Sequence, residues 1–241
     1  MIHRLAASSC SVLSLVALPL ALAVVACGPP SHAPIADAPG VDAGPCGANV
    51  PLAGDVVDWD STDTQFCGVF GAHLVVHGDP TRSETTPPNG RINLCVAAGA
   101  VQLDITPPTG NSQCAMTAGA YAVPGALFVD GAVLAAGATV RARAFTAPRG
   151  TTLGYDAAKA QVFVHVAGAA PRAVAITGTH DAPIAFDGTA SAPGSTGVDV
   201  FFANVDPAVG SVMVSVTGGA IGAGPVPVTA GAFSYVTVLA N

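Results

Sequence analysis

Cations are scarce in this chain. Eight of its 241 residues are Lys or Arg, with Lys159 the sole lysine, against fifteen Asp or Glu. A surface that neutralises nucleic-acid phosphates needs clustered Lys and Arg, so nucleic acid is not an expected partner. Aromatic residues make up only 5% of the chain and Trp59 is its one tryptophan, which limits any broad sugar-stacking platform. Recognisable catalytic signatures are also missing. There is no Gly-x-Ser-x-Gly elbow, no His-Glu-x-x-His pair and no glycine loop of the phosphate-cradling type. No segment sustains a 3.6-residue apolar period with caps, so long amphipathic helices are not expected either. These absences predict a chain without catalytic residues and without a cofactor.

One long hydrophobic run stands out. Met1-Ile2-His3-Arg4 forms a short basic start, an apolar stretch follows from Val12 to Ala26, and Pro19 interrupts it. At about 15 residues the stretch is too short for a comfortable membrane-spanning helix, and it fits a secretory signal. It closes on Val24-Val25-Ala26-Cys27, which resembles a bacterial lipobox. That resemblance implies cleavage of residues 1–26 and diacylation of Cys27. The membrane would then be a partner through a multi-chain lipid anchor, each buried CH₂ contributing about 0.8 kcal/mol. Gly28 follows the cysteine in place of an aspartate that would favour inner-membrane retention, so the outer membrane or cell surface is the expected location. Losing Arg4 with the signal leaves seven basic against fifteen acidic residues, a net charge of −8. Residues 27–45 are rich in Pro, Ala, Gly and Asp and read as an extended, disordered tether.

Four cysteines remain after Cys10 leaves with the signal and Cys27 takes the lipid: Cys46, Cys67, Cys95 and Cys114. An even number in an oxidising compartment predicts two disulfides, with three connectivities open. Their spacings of 21, 28 and 19 residues lack the close pairs of a structural zinc site.

Beyond the tether, short alternating runs rich in Val, Ile, Thr and Ala are separated by Gly, Pro, Asn and Asp. Strands are expected at residues 55–59, 72–77, 91–96, 101–106, 126–129 and 139–145. In the second half they are expected at 161–166, 173–177, 198–203, 211–217 and 232–239. The fold class is therefore all-β, with one or two sandwiches. Similar patterns return in the second half at an offset of about 100 to 111 residues, which suggests units at 46–146 and 147–241. Ile92, Leu94 and Val96 share one face, as do Val101, Leu103 and Ile105, so these two runs are expected to be neighbouring strands of one core wall.

Phe70 to Val76, the turn Pro87-Pro88-Asn89-Gly90, Arg91 to Gly99 and the closing run Val101 to Thr106 resemble the carboxypeptidase regulatory-like domain. Ile92 stands where that family has an aromatic residue, and Ala97 where it has proline. The resemblance implies a transthyretin-like sandwich, classed with carbohydrate-binding-like folds, and brings no catalytic residues with it.

Several residues could still carry chemistry. Asp58, Asp60 and Asp63, in the acidic loop after Asp55, offer hard oxygen ligands for calcium, but without the EF-hand spacing. Trp59 could stack on a sugar. His73 and His77 share a strand face but lie about 13 Å apart, too far for one metal. His165 and His180 have no nucleophile at a recognisable spacing. Phe201 and Phe202 are adjacent on a strand, so one of them is expected to face away from the core and offer a surface contact. The expected function is that of an anchored, non-catalytic binding or structural module whose partner is an envelope protein or a glycan. The rival is a carbohydrate-binding or adhesin module, and a hydrolase is the more distant alternative.

Overall fold

A computed structural model describes residues 46–108, 121, 123–168, 171–222 and 224–241. Cys27, the rest of the assigned signal and tether, and Cys114 lie outside the described residues.

The first half contributes β1 (Val50–Asp58), β2 (His73–Val76), β3 (Asp79–Thr85), β4 (Arg91–Val96), β5 (Val101–Thr106), β6 (Gly125–Val129) and β7 (Val140–Ala144), with short helices α1 (Gly131–Ala135) and α2 (Ala147–Thr152). The second half contributes β8 (Ala160–Ala167), β9 (Arg172–Ile176), β10 (Ile184–Phe186), β11 (Ser191–Pro193), β12 (Thr196–Gly197) and β13 (Asp199–Val205). It continues with β14 (Ser211–Val216), β15 (Ala220–Ile221), β16 (Pro225–Pro227) and β17 (Phe233–Ala240). The all-β expectation holds, and every expected strand is present within a few residues of its predicted bounds. The short strands β10, β11, β12, β15 and β16 were not expected, and neither was the edge strand β3. Its sequence, Asp79-Pro80-Thr81-Arg82-Ser83-Glu84-Thr85, is polar and carries a proline, as befits an edge.

The strands form three layers. A ten-stranded sheet follows the order β11-β10-β13-β8-β17-β6-β5-β2-β3, with β15 paired to β17. A three-stranded sheet, β4-β1-β7, covers one face of it, and a four-stranded sheet, β12-β9-β14-β16, covers the other. The two halves share a pairing scheme. β1 is antiparallel to β4 and parallel to β7, while β8 is antiparallel to β13 and parallel to β17. Likewise β2 pairs with β5 and β9 with β14, both antiparallel. The halves nevertheless share one sheet, because β17 lies between β8 and β6, parallel to both.

This layering overturns two local expectations. β4 and β5 are not neighbours in one wall: β4 pairs with β1, β5 pairs with β2 and β6, and the turn at Gly99 carries the chain from one sheet to the other. Ile92, Leu94 and Val96 therefore meet Leu103 and Ile105 across the same core, from opposite sides. Phe201 and Phe202 are both buried, because the central sheet has a core on each face. Phe201 enters the core under β1 and β7, and Phe202 the core under β9 and β14. For the same reason β8 is buried along its whole length.

Cys46 and Cys95 form a disulfide with Cα atoms 5.5 Å apart, stapling the start of the sandwich to β4. Cys67 is disulfide-bonded as well.

Candidate functional site

The densest polar chemistry lies where β7 of the outer sheet crosses β8 and β13 of the central one. Residues alternate along these strands, so Arg141 and Arg143 on β7, His165 on β8 and Asp199 on β13 converge. Asp199 is fully buried. Its Oδ1 lies 2.6 Å from His165 Nδ1, and its Oδ2 accepts from Arg143 Nη2 at 2.9 Å and from Arg141 Nη1 at 3.4 Å. Burial by itself would raise the Asp199 carboxyl. The hydrogen bond and charge of His165, with both guanidinium groups, outweigh it and hold the carboxyl well below the usual carboxylate range.

Arg143 is equally committed. Its Nη1 donates to the carbonyls of Trp59 and Ser61, each at 2.8 Å, and its guanidinium lies 4.3 Å from the centre of the Phe186 ring. Burial lowers its pKa, opposed by the charge of Asp199. Beside it a cavity of about 170 Å³ is lined by residues including Trp59, Ser61, Phe186, Gly188 and Ser191. This is below the ~300 Å³ at which ordinary ligand sites begin.

The structure does not bring the three carboxylates of the acidic loop together. Asp58 is buried and accepts from the Tyr121 hydroxyl at 2.5 Å and from the Asp60 amide at 2.9 Å. Asp60 is ion-paired with Arg149, and Asp63 sits outside, against Gly188. Among the described residues no three His, Cys, Asp or Glu are grouped to hold a metal. Trp59 is not a surface platform. It is 4% exposed and meets Phe145, Phe186 and Phe201 edge to face, so its ring faces are spent in the core. His73 and His77 are exposed, His77 pairing with Asp104 at 2.8 Å.

No protein-family model and no curated protein matches the chain. Among solved structures, a crystal structure of a double mutant of the shaft pilin SpaA from Lactobacillus rhamnosus GG is similar at 8% identity and a TM-score of 0.26. The match covers 79% of this chain and 96% of that one.

Sequence reasoning missed the Arg143–Asp199–His165 cluster. Its members are spaced without a motif, and only the crossing of two sheets unites them. The one available signal was compositional: Arg141 and Arg143 flank Ala142 in an otherwise apolar strand, and Asp199 interrupts an apolar run. The reasoning also gave no role to Phe66 and Phe70, which are 41% and 51% exposed.

Proposed function

We propose that this chain is an envelope lipoprotein anchored through Cys27, whose paired carboxypeptidase regulatory-like sandwiches act as a non-catalytic binding or structural module at the outer membrane or cell surface. The observation that carries the non-catalytic reading is the inward, mutual pairing of its buried ionisable groups. General acid–base hydrolysis most often uses a histidine or carboxylate that can exchange a proton with substrate. Asp199, His165, Arg141 and Arg143 instead bond to one another and to backbone carbonyls, beside a cavity too small for an ordinary substrate. The anchor reading is supported by Val24-Val25-Ala26-Cys27 at the end of an apolar run.

Labelling of growing cells with a tritiated fatty acid, followed by membrane fractionation, tests the anchor. Label and membrane retention are expected in the native chain and lost in Cys27→Ser. An unlabelled native chain overturns the reading. Incubation of the purified native chain with a panel of chromogenic ester, glycoside and peptide substrates tests the second claim, and turnover abolished by His165→Ala would end it.

A further inference from the structure

The disulfides of this chain interlace. Cys46 is bonded to Cys95 across Cys67, and Cys67 is itself disulfide-bonded. The other cysteines of the sequence, Cys10, Cys27 and Cys114, all lie outside the interval 46–95. Whichever of them is its partner, the bond from Cys67 crosses the Cys46–Cys95 bond in sequence. Chain statistics favour a different pairing. Cys67 follows Cys46 by 21 residues, whereas Cys95 follows it by 49. The entropic cost of closing a flexible loop grows with the logarithm of its length, so the shorter loop closes about 3.5-fold more readily. Order of emergence adds to the bias, because the chain is made from its N-terminus and Cys67 meets Cys46 before Cys95 is available. Cys46–Cys67 is therefore the first bond expected in the unfolded chain.

That bond is incompatible with the fold. Cys95 stands opposite Pro51 of β1, and Cys46 lies 5.5 Å from Cys95. Cys67 lies by the other end of β1, its carbonyl accepting from the Asp58 amide at 2.8 Å while Gly68 bridges to Val57. Residues 51 and 58 of an extended strand are about 23 Å apart at 3.3 Å per residue. A disulfide needs its Cα atoms within about 7 Å. Cys46–Cys67 thus keeps β4 from its register on β1, and Cys67–Cys95 fails for the same reason. β1 is the middle strand between β4 and β7, so the error reaches the whole outer sheet. Correction has to come early. In the folded chain Cys67 is 2% exposed, out of reach of an attacking thiolate, whereas Cys95 is exposed.

We propose that this chain matures through thiol–disulfide exchange and is a client of a dithiol exchange catalyst in the compartment where it folds. The catalyst's thiolate attacks the Cys46 sulfur of Cys46–Cys67, forming a mixed disulfide and releasing Cys67 as a thiolate. The Cys95 thiolate then attacks the same Cys46 sulfur, which forms Cys46–Cys95 and returns the catalyst's thiolate with no net oxidation. Cys67 and its own partner give up two electrons and two protons to a disulfide oxidant, which leaves as two thiols. The proposal rests on the exported reading above, since a reducing compartment would leave the cysteines as thiols.

The test starts from the full detergent-extracted chain, unfolded and reduced, then reoxidised with glutathione disulfide. Thiols are alkylated at intervals and the linked peptides are mapped by mass spectrometry. Cys46–Cys67 is expected to exceed Cys46–Cys95 about 3.5-fold at the earliest times. Its conversion to Cys46–Cys95 should run at least tenfold faster with a catalytic amount of protein disulfide isomerase. Cys67→Ala/Cys114→Ala removes the competing thiols, so in that variant Cys46–Cys95 should form without a lag and at a rate the isomerase leaves unchanged. Peptide mapping reads the bond whether or not the variant folds. Predominance of Cys46–Cys95 from the first time point overturns the proposal, as does a conversion that the isomerase does not accelerate. If Cys27-dependent labelling persists alongside either result, exchange alone is removed and the anchored-module reading stands. A chain isolated from growing cells with every cysteine as a free thiol overturns both.

Discussion

Arg143 Nη2 lies 2.9 Å from Asp199 Oδ2, and the two residues come from opposite halves of the chain and from different sheets. The pair ties the outer sheet β4-β1-β7 to the second-half part of the central sheet, with the Phe186 ring against the Arg143 guanidinium. Desolvation makes such a pair a weak net stabiliser, but losing one member leaves a buried charge uncompensated.

Asp199→Asn should therefore destabilise the protein by about 3–5 kcal/mol, since Arg143 and Arg141 then face each other without their shared anion. Replacing both partners, as Arg143→Met/Asp199→Leu, should cost less than the sum of the single changes. Urea unfolding of the four species gives the coupling directly, and additive costs would show that the pair is not a unit.

Acid should weaken the same region. Asp199 is held below its ordinary 3.8 in the folded state, so it binds fewer protons folded than unfolded. Its contribution is complete above about pH 4 and is lost as pH falls below that, through the folded value. Glu84 has the opposite sign. Burial raises its carboxyl above 4.5 even though it accepts from the Asn93 amide, so stability is lost as pH rises through the folded value. Glu84→Gln keeps an acceptor and should flatten that loss, visible as a smaller fall in melting temperature between pH 4.5 and 7.

The Cys46–Cys95 disulfide closes a separation of 49 residues. Chain-entropy arguments assign such a loop about 4 kcal/mol. Cys46→Ala/Cys95→Ala should lower the guanidinium unfolding free energy by roughly that amount.

Trp59→Ala should act on stability. The ring sits among Phe145, Phe186 and Phe201, and truncating a buried aromatic costs about 3–5 kcal/mol. As the only tryptophan, it should fluoresce blue-shifted and resist acrylamide quenching in the folded chain. Ready quenching would contradict its burial.

Much of the fold was legible from residue order because the signals are local. Alternation at Ile92-Asn93-Leu94-Cys95-Val96 and Ser211 to Val216 marks strands whatever surrounds them, and an even number of cysteines in a chain read as exported predicts disulfides. Less of the candidate site was legible. Trp59 looked like a sugar platform because a single aromatic carries no record of its burial. Asp58, Asp60 and Asp63 looked like ligands because Tyr121 and Arg149, which engage the first two, are remote in sequence.

The sequence by itself determined the longer, alternating strands, the possible cysteine staples and the scarcity of cations. Only the tertiary structure decided that β17 joins β6 to β8, that β8 and β13 are buried on both faces, and that Arg143 meets Asp199. The physical reason is that strand periodicity is set by the backbone of one segment, whereas layer order and the partner of a buried charge depend on which sheets come to cover it.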